Sequence, residues 1–143
     1  MECAGHRIRY GAVAVAAIIA VLVLPAGSAS AKSDDSFLVE TGPGRCAQYG
    51  IAGFVDHGEH GDDYAQVYDA CDDNVGVKAW VWLDGKLVGA QRNGHDLSVI
   101  YFDPFPRGNV KPKQYVGIKV CAQKGKNGTP FACGSRTKKI VDG

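Results

Sequence analysis

Two alternating apolar runs that meet at Asp84-Gly85, in the stretch VKAWVWLDGKLVGA (residues 77–90), restrict this chain more than any other feature. Period-two alternation lines the two faces of a strand, and a two-residue type I′ turn needs positive φ at both central positions, which Asp-Gly tolerates. The stretch predicts a β-hairpin whose pairs are Leu83 with Lys86, Trp82 with Leu87, Val81 with Val88 and Trp80 with Gly89. One face then carries Val77, Ala79, Val81, Leu83, Val88 and Ala90; the other carries Lys78, Trp80, Trp82, Leu87, Gly89 and Gln91. The aliphatic face is the expected core, because a one-residue slip would turn Lys78, Asp84 and Gln91 inward with no partner.

Further strands are expected over residues 37–40, 46–55, 64–70, 97–102, 115–123 and 131–141, separated by Gly, Pro, Asn and Asp clusters. In YAQVYDA (64–70), Tyr64, Gln66 and Tyr68 share one face and Ala65, Val67 and Asp69 the other. No helical periodicity and no repeat is present. Seven or eight short strands with close-set turns predict an all-β chain folded as a small antiparallel β-sandwich of immunoglobulin-like architecture.

Residues 1–31 read as a secretory signal peptide: Arg7 and Arg9 precede an apolar run over residues 12–24, and Ala29-Ser30-Ala31 supplies an A-x-A site. That run is too short to cross the roughly 30 Å hydrocarbon core as a helix. Cleavage would leave residues 32–143 as one secreted domain with no membrane span. Four cysteines remain, Cys46, Cys71, Cys121 and Cys133, and an even count in a small exported domain predicts two disulfides. Three connectivities are open. Symmetry favours Cys46–Cys71 around the 57–61 turn and Cys121–Cys133, each six residues from Asn127.

Beyond the peptide, 14 bases balance 14 acids: the whole chain has 16 and 15, and Arg7, Arg9 and Glu2 fall outside. Such balance gives no general reason to expect nucleic acid. Charge is uneven along the chain, however: residues 32–103 hold 13 acids and 5 bases, and residues 104–143 hold 1 acid and 9 bases. Either antiparallel pairing cancels the difference, or Arg107, Lys111, Lys113, Lys119, Lys124 and Lys126 form a basic face that meets a polyanion.

The segments VYDACDDNVGVKAWVWLDGKLVG, DPFPRGNV and YVGIKVCAQKGKNGTPFACGS, over roughly residues 64–141, resemble the small secreted β-proteins common in actinobacteria, a group largely of unassigned function. The resemblance implies a local disulfide in the last hairpin and carries no catalytic motif. The order Cys71, Trp80 or Trp82, Cys121 also resembles immunoglobulin domains. Their tyrosine corner, two residues before the second cysteine, is here Lys119. A Cys71–Cys121 core bridge is therefore not expected.

Three groups of residues are candidates for function. Trp80 and Trp82, outward on the hairpin, offer rings that stack on sugar faces, with Tyr68 and also Tyr64 or Tyr101 as contributors; the competing assignment buries the indoles as core. Asp56, His57, Glu59, His60, Asp62 and Asp63 form an acidic and imidazole-rich loop, with His57, Glu59 and His60 the candidate metal ligands, although the spacing fits no established site and a solvated hairpin tip is the preferred explanation. Asp72, Asp73 and Asn74 are turn formers that double as a candidate calcium cluster. His95-Asp96, Ser98 and Ser135 lack any nucleophile setting, and the cysteines are committed to bridges. Asn127-Gly128-Thr129 is formally a glycosylation sequon, yet fits a turn.

The sequence thus predicts a non-enzymatic exported domain without a cofactor, binding an unidentified extracellular ligand, polysaccharide or protein, with a surface polysaccharide held by Trp80 and Trp82 as the first candidate. The alternative is a protein-interaction or inhibitor module presenting the loop 103–109, whose prolines lower the entropy cost of one conformation. A metal-dependent enzyme built on residues 56–63 is the third expectation.

Overall fold

A computed structural model describes residues 34–56, 62–105 and 109–141. The signal peptide assigned to residues 1–31 lies outside the described residues. Eight strands form the regular structure among the described residues, and no helix does: β1 (Phe37–Glu40), β2 (Gly50–Val55), β3 (Tyr64–Asp69), β4 (Gly76–Leu83), β5 (Lys86–Asn93), β6 (Val99–Phe102), β7 (Tyr115–Gln123) and β8 (Phe131–Lys139). They make two four-stranded antiparallel sheets, ordered β1-β2-β3-β6 and β5-β4-β7-β8.

Alternation decides what lies between the sheets. Phe37, Val39, Ala52, Phe54, Ala65 and Val67 from the first sheet meet Val77, Ala79, Val81, Val116, Ile118 and Val120 from the second. Each fully buried valine, isoleucine or phenylalanine stabilises the fold by roughly 1.5–3 kcal/mol, so the aliphatic stripe of β4 and β7 anchors the second sheet. Phe105, in the proline-containing loop after β6, is also core, with its ring 5.5 Å from Phe54 and edge-on to it.

The central hairpin forms with φ of 50° at Asp84 and 80° at Gly85, the positive pair that a type I′ turn requires. Trp82 pairs with Leu87 and Leu83 with Lys86, as the turn dictates. Beyond them a bulge shifts the register: Val81 pairs with Gly89 and Trp80 with Ala90, leaving Val88 as the extra residue. The expected pairs Val81–Val88 and Trp80–Gly89 are therefore corrected, and Ala90, placed on the core face, is exposed. The cause lies further along β5. Without the bulge Arg92 would point into the sandwich and Asn93 out of it; with it, Arg92 pairs beside Lys78 on the outer face and Asn93 is buried opposite Val77. A guanidinium inside would have to be paired, whereas an amide finds backbone partners readily.

Both disulfides have the favoured connectivity, Cys46–Cys71 and Cys121–Cys133, with Cα separations of 5.7 and 4.1 Å. The second crosses the β7–β8 hairpin. The first does not join two strand arms: β2 begins at Gly50, so Cys46 lies in the preceding loop and the bridge closes the open end of the β2–β3 hairpin just after Asp69. Cys71 and Cys121 are buried but not joined to each other, in keeping with the absent tyrosine corner.

Candidate functional site

With Val77, Ala79 and Val81 inward, Lys78, Trp80 and Trp82 stand on the outer face of the second sheet, and neighbouring strands set what surrounds them. Trp82 lies level with Gly117 of β7, which lies level with Thr137 of β8; one step along, the row is Trp80, Lys119 and Ser135. Both indoles are half-buried, because flanking side chains cover them laterally. Lys78 Nζ sits 5.1 Å and Lys119 Nζ 5.8 Å from the centre of the Trp80 ring, within cation–π range.

Trp82 has a different setting. It forms one wall of a depression of about 290 Å³ lined also by Tyr115, Gly117, Ile118, Lys119, Ser135 and Thr137, with Gly85 at its end. Gly117 makes the depression possible: a Cβ there would meet Thr137 Oγ1 at 3.2 Å and Trp82 Cβ at 3.6 Å. Tyr115, the second aromatic side chain of the lining, is held by the hairpin turn. Its backbone N–H donates to Asp84 Oδ1 and Gln114 Nε2 donates to Asp84 Oδ2, both at 2.8 Å, while its carbonyl accepts from Asp84 N at 2.9 Å. Asp84 therefore shapes the turn and also fixes the strand that carries the second ring.

The site therefore offers two aromatic walls, two hydroxyls and one ammonium on a concave sheet surface. Rings with hydroxyls between them bind amphipathic ligands such as pyranoses, whose axial hydrogens stack on aromatics and whose equatorial hydroxyls bond the polar groups. Sequence reasoning does not single out Tyr115, Gly117 or Thr137, and considers Ser135 only as a nucleophile. Their place depends on the register of β7 against β4 and β8, which no local pattern discloses.

Tyr68 does not join the tryptophans. It lies with Tyr64, Gln66, Val99 and Tyr101 on the outer face of the first sheet, turned away from Trp80 and Trp82, and the rings of Tyr64 and Tyr101 meet edge-on at 5.6 Å. The proposed set of Trp80, Trp82 and Tyr68 is thus divided between two surfaces.

His57, Glu59 and His60 lie outside the described residues. Of their acidic neighbours, Asp56 accepts from Asp35 N at 3.0 Å and Asp63 from Val110 N at 2.6 Å, which tie down flanking segments. Among the described residues no group of three metal-ligating side chains converges. In the next turn Asp73 Oδ1 accepts from Val75 N at 2.9 Å and Asn74 has φ of 61°, the arrangement of a turn former. Ser98 Oγ donates to the carbonyl of His95 at 2.5 Å and lies 3.3 Å from the buried Asn93 Oδ1. Asp69 is the unexpected acid: it sits on the core-facing side of β3, its Oδ2 lacks a hydrogen-bond partner, and burial pushes its pKa up to about 6. The amide of Cys71 and the charge of Arg92 oppose that shift, and Asp96 and Asp73 add to it.

No family model, curated protein or solved structure matches the chain, so the site is read from its own geometry.

Proposed function

We propose that this chain is an exported, non-enzymatic recognition domain that binds carbohydrate in the depression between Trp82 and Tyr115. The observation that carries the proposal is the trough itself: Trp82, level with Gly117, and Tyr115, two residues before Gly117 on the same outer face, both line it, with Ser135 and Thr137 beside its floor. Stacking on such rings is worth on the order of 1 kcal/mol or more per contact, and hydroxyl partners set orientation. Export is supported by the signal-like residues 1–31 together with two disulfides, which form and persist in oxidising compartments. The interaction-module alternative has less to stand on, since Phe105 of the 103–109 loop is buried in the core instead of being presented.

Electrophoresis through gels containing soluble polysaccharides tests the proposal. The disulfide-bonded protein should be retarded by at least one polymer; Trp82→Ala and Gly117→Ala, which remove a wall and fill the floor, should both migrate freely while unfolding at near-normal urea concentrations. Equal retardation of all three would overturn it.

A further inference from the structure

The sandwich separates charge instead of cancelling it. Strands β4, β5, β7 and β8 with their two hairpin turns carry nine bases, Lys78, Lys86, Arg92, Lys119, Lys124, Lys126, Arg136, Lys138 and Lys139, and one acid, Asp84. The strands of the first sheet carry Glu40 and Asp69 and no base. The uneven charge along the chain thus becomes a strongly basic second sheet, because the basic strands β7 and β8 pair with each other and with β4.

On the outer face that holds the trough, Arg92 donates to the carbonyl of Gln123 at 3.2 Å, and three further cations stand beside aromatic rings. Lys78 and Lys119 stand over the Trp80 ring, and Lys139 Nζ is 5.9 Å from the centre of the Tyr115 ring. None of the three has a carboxylate within ion-pair distance among the described residues, in contrast to Lys138, which meets Asp35 at 2.9 Å. Asp84, the sole acid of these strands and turns, has its oxygens engaged by Gln114 and Tyr115. An ammonium held beside a ring keeps its full charge, loses side-chain freedom in advance and has donors left for a ligand.

Resting on the carbohydrate reading above, we infer that the ligand is an acidic polysaccharide whose carboxylate or sulfate groups meet Lys78, Lys119 and Lys139 while its sugar rings stack in the Trp82–Tyr115 trough. The three ammonium groups flank the aromatic walls on both sides, so a chain lying along the face would meet cation and ring together. A neutral glycan would leave the cations without partners.

Polygalacturonate, its neutral methyl ester and poly-L-glutamate, a polyanion without sugar rings, distinguish the two parts of the inference in calorimetric titrations of the disulfide-bonded protein. Polygalacturonate should bind best, its affinity falling on the order of tenfold between 50 and 200 mM NaCl, as release of counterions by about three cations requires. Lys78→Gln, Lys119→Gln and Lys139→Gln combined should lower that affinity at least tenfold. Lys124→Gln with Lys126→Gln, which removes charge from the β7–β8 turn away from the rings, should lower it no more than about twofold at the same salt. Binding of the ester as tight as that of the acid, or failure of polygalacturonate to bind, would overturn the inference; the first result would leave the carbohydrate reading intact. Equal binding of poly-L-glutamate, unaffected by Trp82→Ala, would keep the anion site and remove the sugar.

Discussion

Replacing Asn93 by alanine should be among the most damaging single polar substitutions, although the residue reads in sequence as part of an ordinary Asn-Gly turn. Its buried amide donates from Nδ2 to the carbonyls of Val67, at 3.1 Å, and Ser98, at 2.7 Å, and accepts from His95 N at 3.0 Å. These bonds tie the end of β5 in one sheet to β3 and the approach to β6 in the other. Taking about 1 kcal/mol net for each of three bonds gives roughly 3 kcal/mol, to which loss of buried volume adds. Urea unfolding with both disulfides intact measures it, and the midpoint should fall without a change in slope. Gln91→Ala, two residues earlier on the same edge strand but exposed, should stay within about 0.5 kcal/mol of the parent. Asn93→Asp keeps the shape but sets a carboxylate against two carbonyls, so its loss should be as large at pH 7 and shrink as the acid is protonated. A cost below about 1 kcal/mol for Asn93→Ala would refute the idea that this amide links the sheets and that the β5 bulge exists to bury it.

Asp69 has a folded-state pKa of about 6 against 3.8 for the ordinary side chain, so the native state binds more protons than the unfolded state between those values. Stability should therefore fall as pH rises from about 4 to 6 and stay reduced above, and Asp69→Asn should gain on the order of 1 kcal/mol at pH 7.5 and little at pH 4, a figure discounted for solvent near the strand end. Phe54→Ala, at the centre of the core, should cost about 3–5 kcal/mol, whereas Trp80→Ala with Trp82→Ala together should cost less than that single change, as urea midpoints will show. Removing the Cys46–Cys71 bridge should cost up to roughly 3.5 kcal/mol and the Cys121–Cys133 bridge up to roughly 3, from loops of 25 and 12 residues' separation; a much larger loss for the second would locate its effect in native packing of β7 against β8.

What was legible before the structure follows from locality. Strand alternation, the Asp84-Gly85 turn and the outward tryptophans are set by residues next to one another, and all three hold. The limit of that logic is visible three residues past the turn, at Val88, where the register depends on whether Arg92 or Asn93 is cheaper to bury, a choice made by acceptors on β3 and before β6. The second aromatic wall shows the same limit. Tyr115 lines the same depression as Trp82 because Asp84 bonds a segment 31 residues away, and nothing in either local sequence encodes that distance. Tyr68 alternates outward on β3 as the tryptophans do on β4, yet outward means opposite directions on two different sheets.

Intrinsic fluorescence reports on the central claim directly, since the chain contains two tryptophans and both stand on the proposed binding face. Titrating the protein with polygalacturonate, with saturation established independently by calorimetry, should change the emission and reduce quenching by acrylamide, and Trp82→Ala should abolish most of that protection. Emission and quenching that remain unchanged at saturation would place the ligand elsewhere on the molecule and contradict the account.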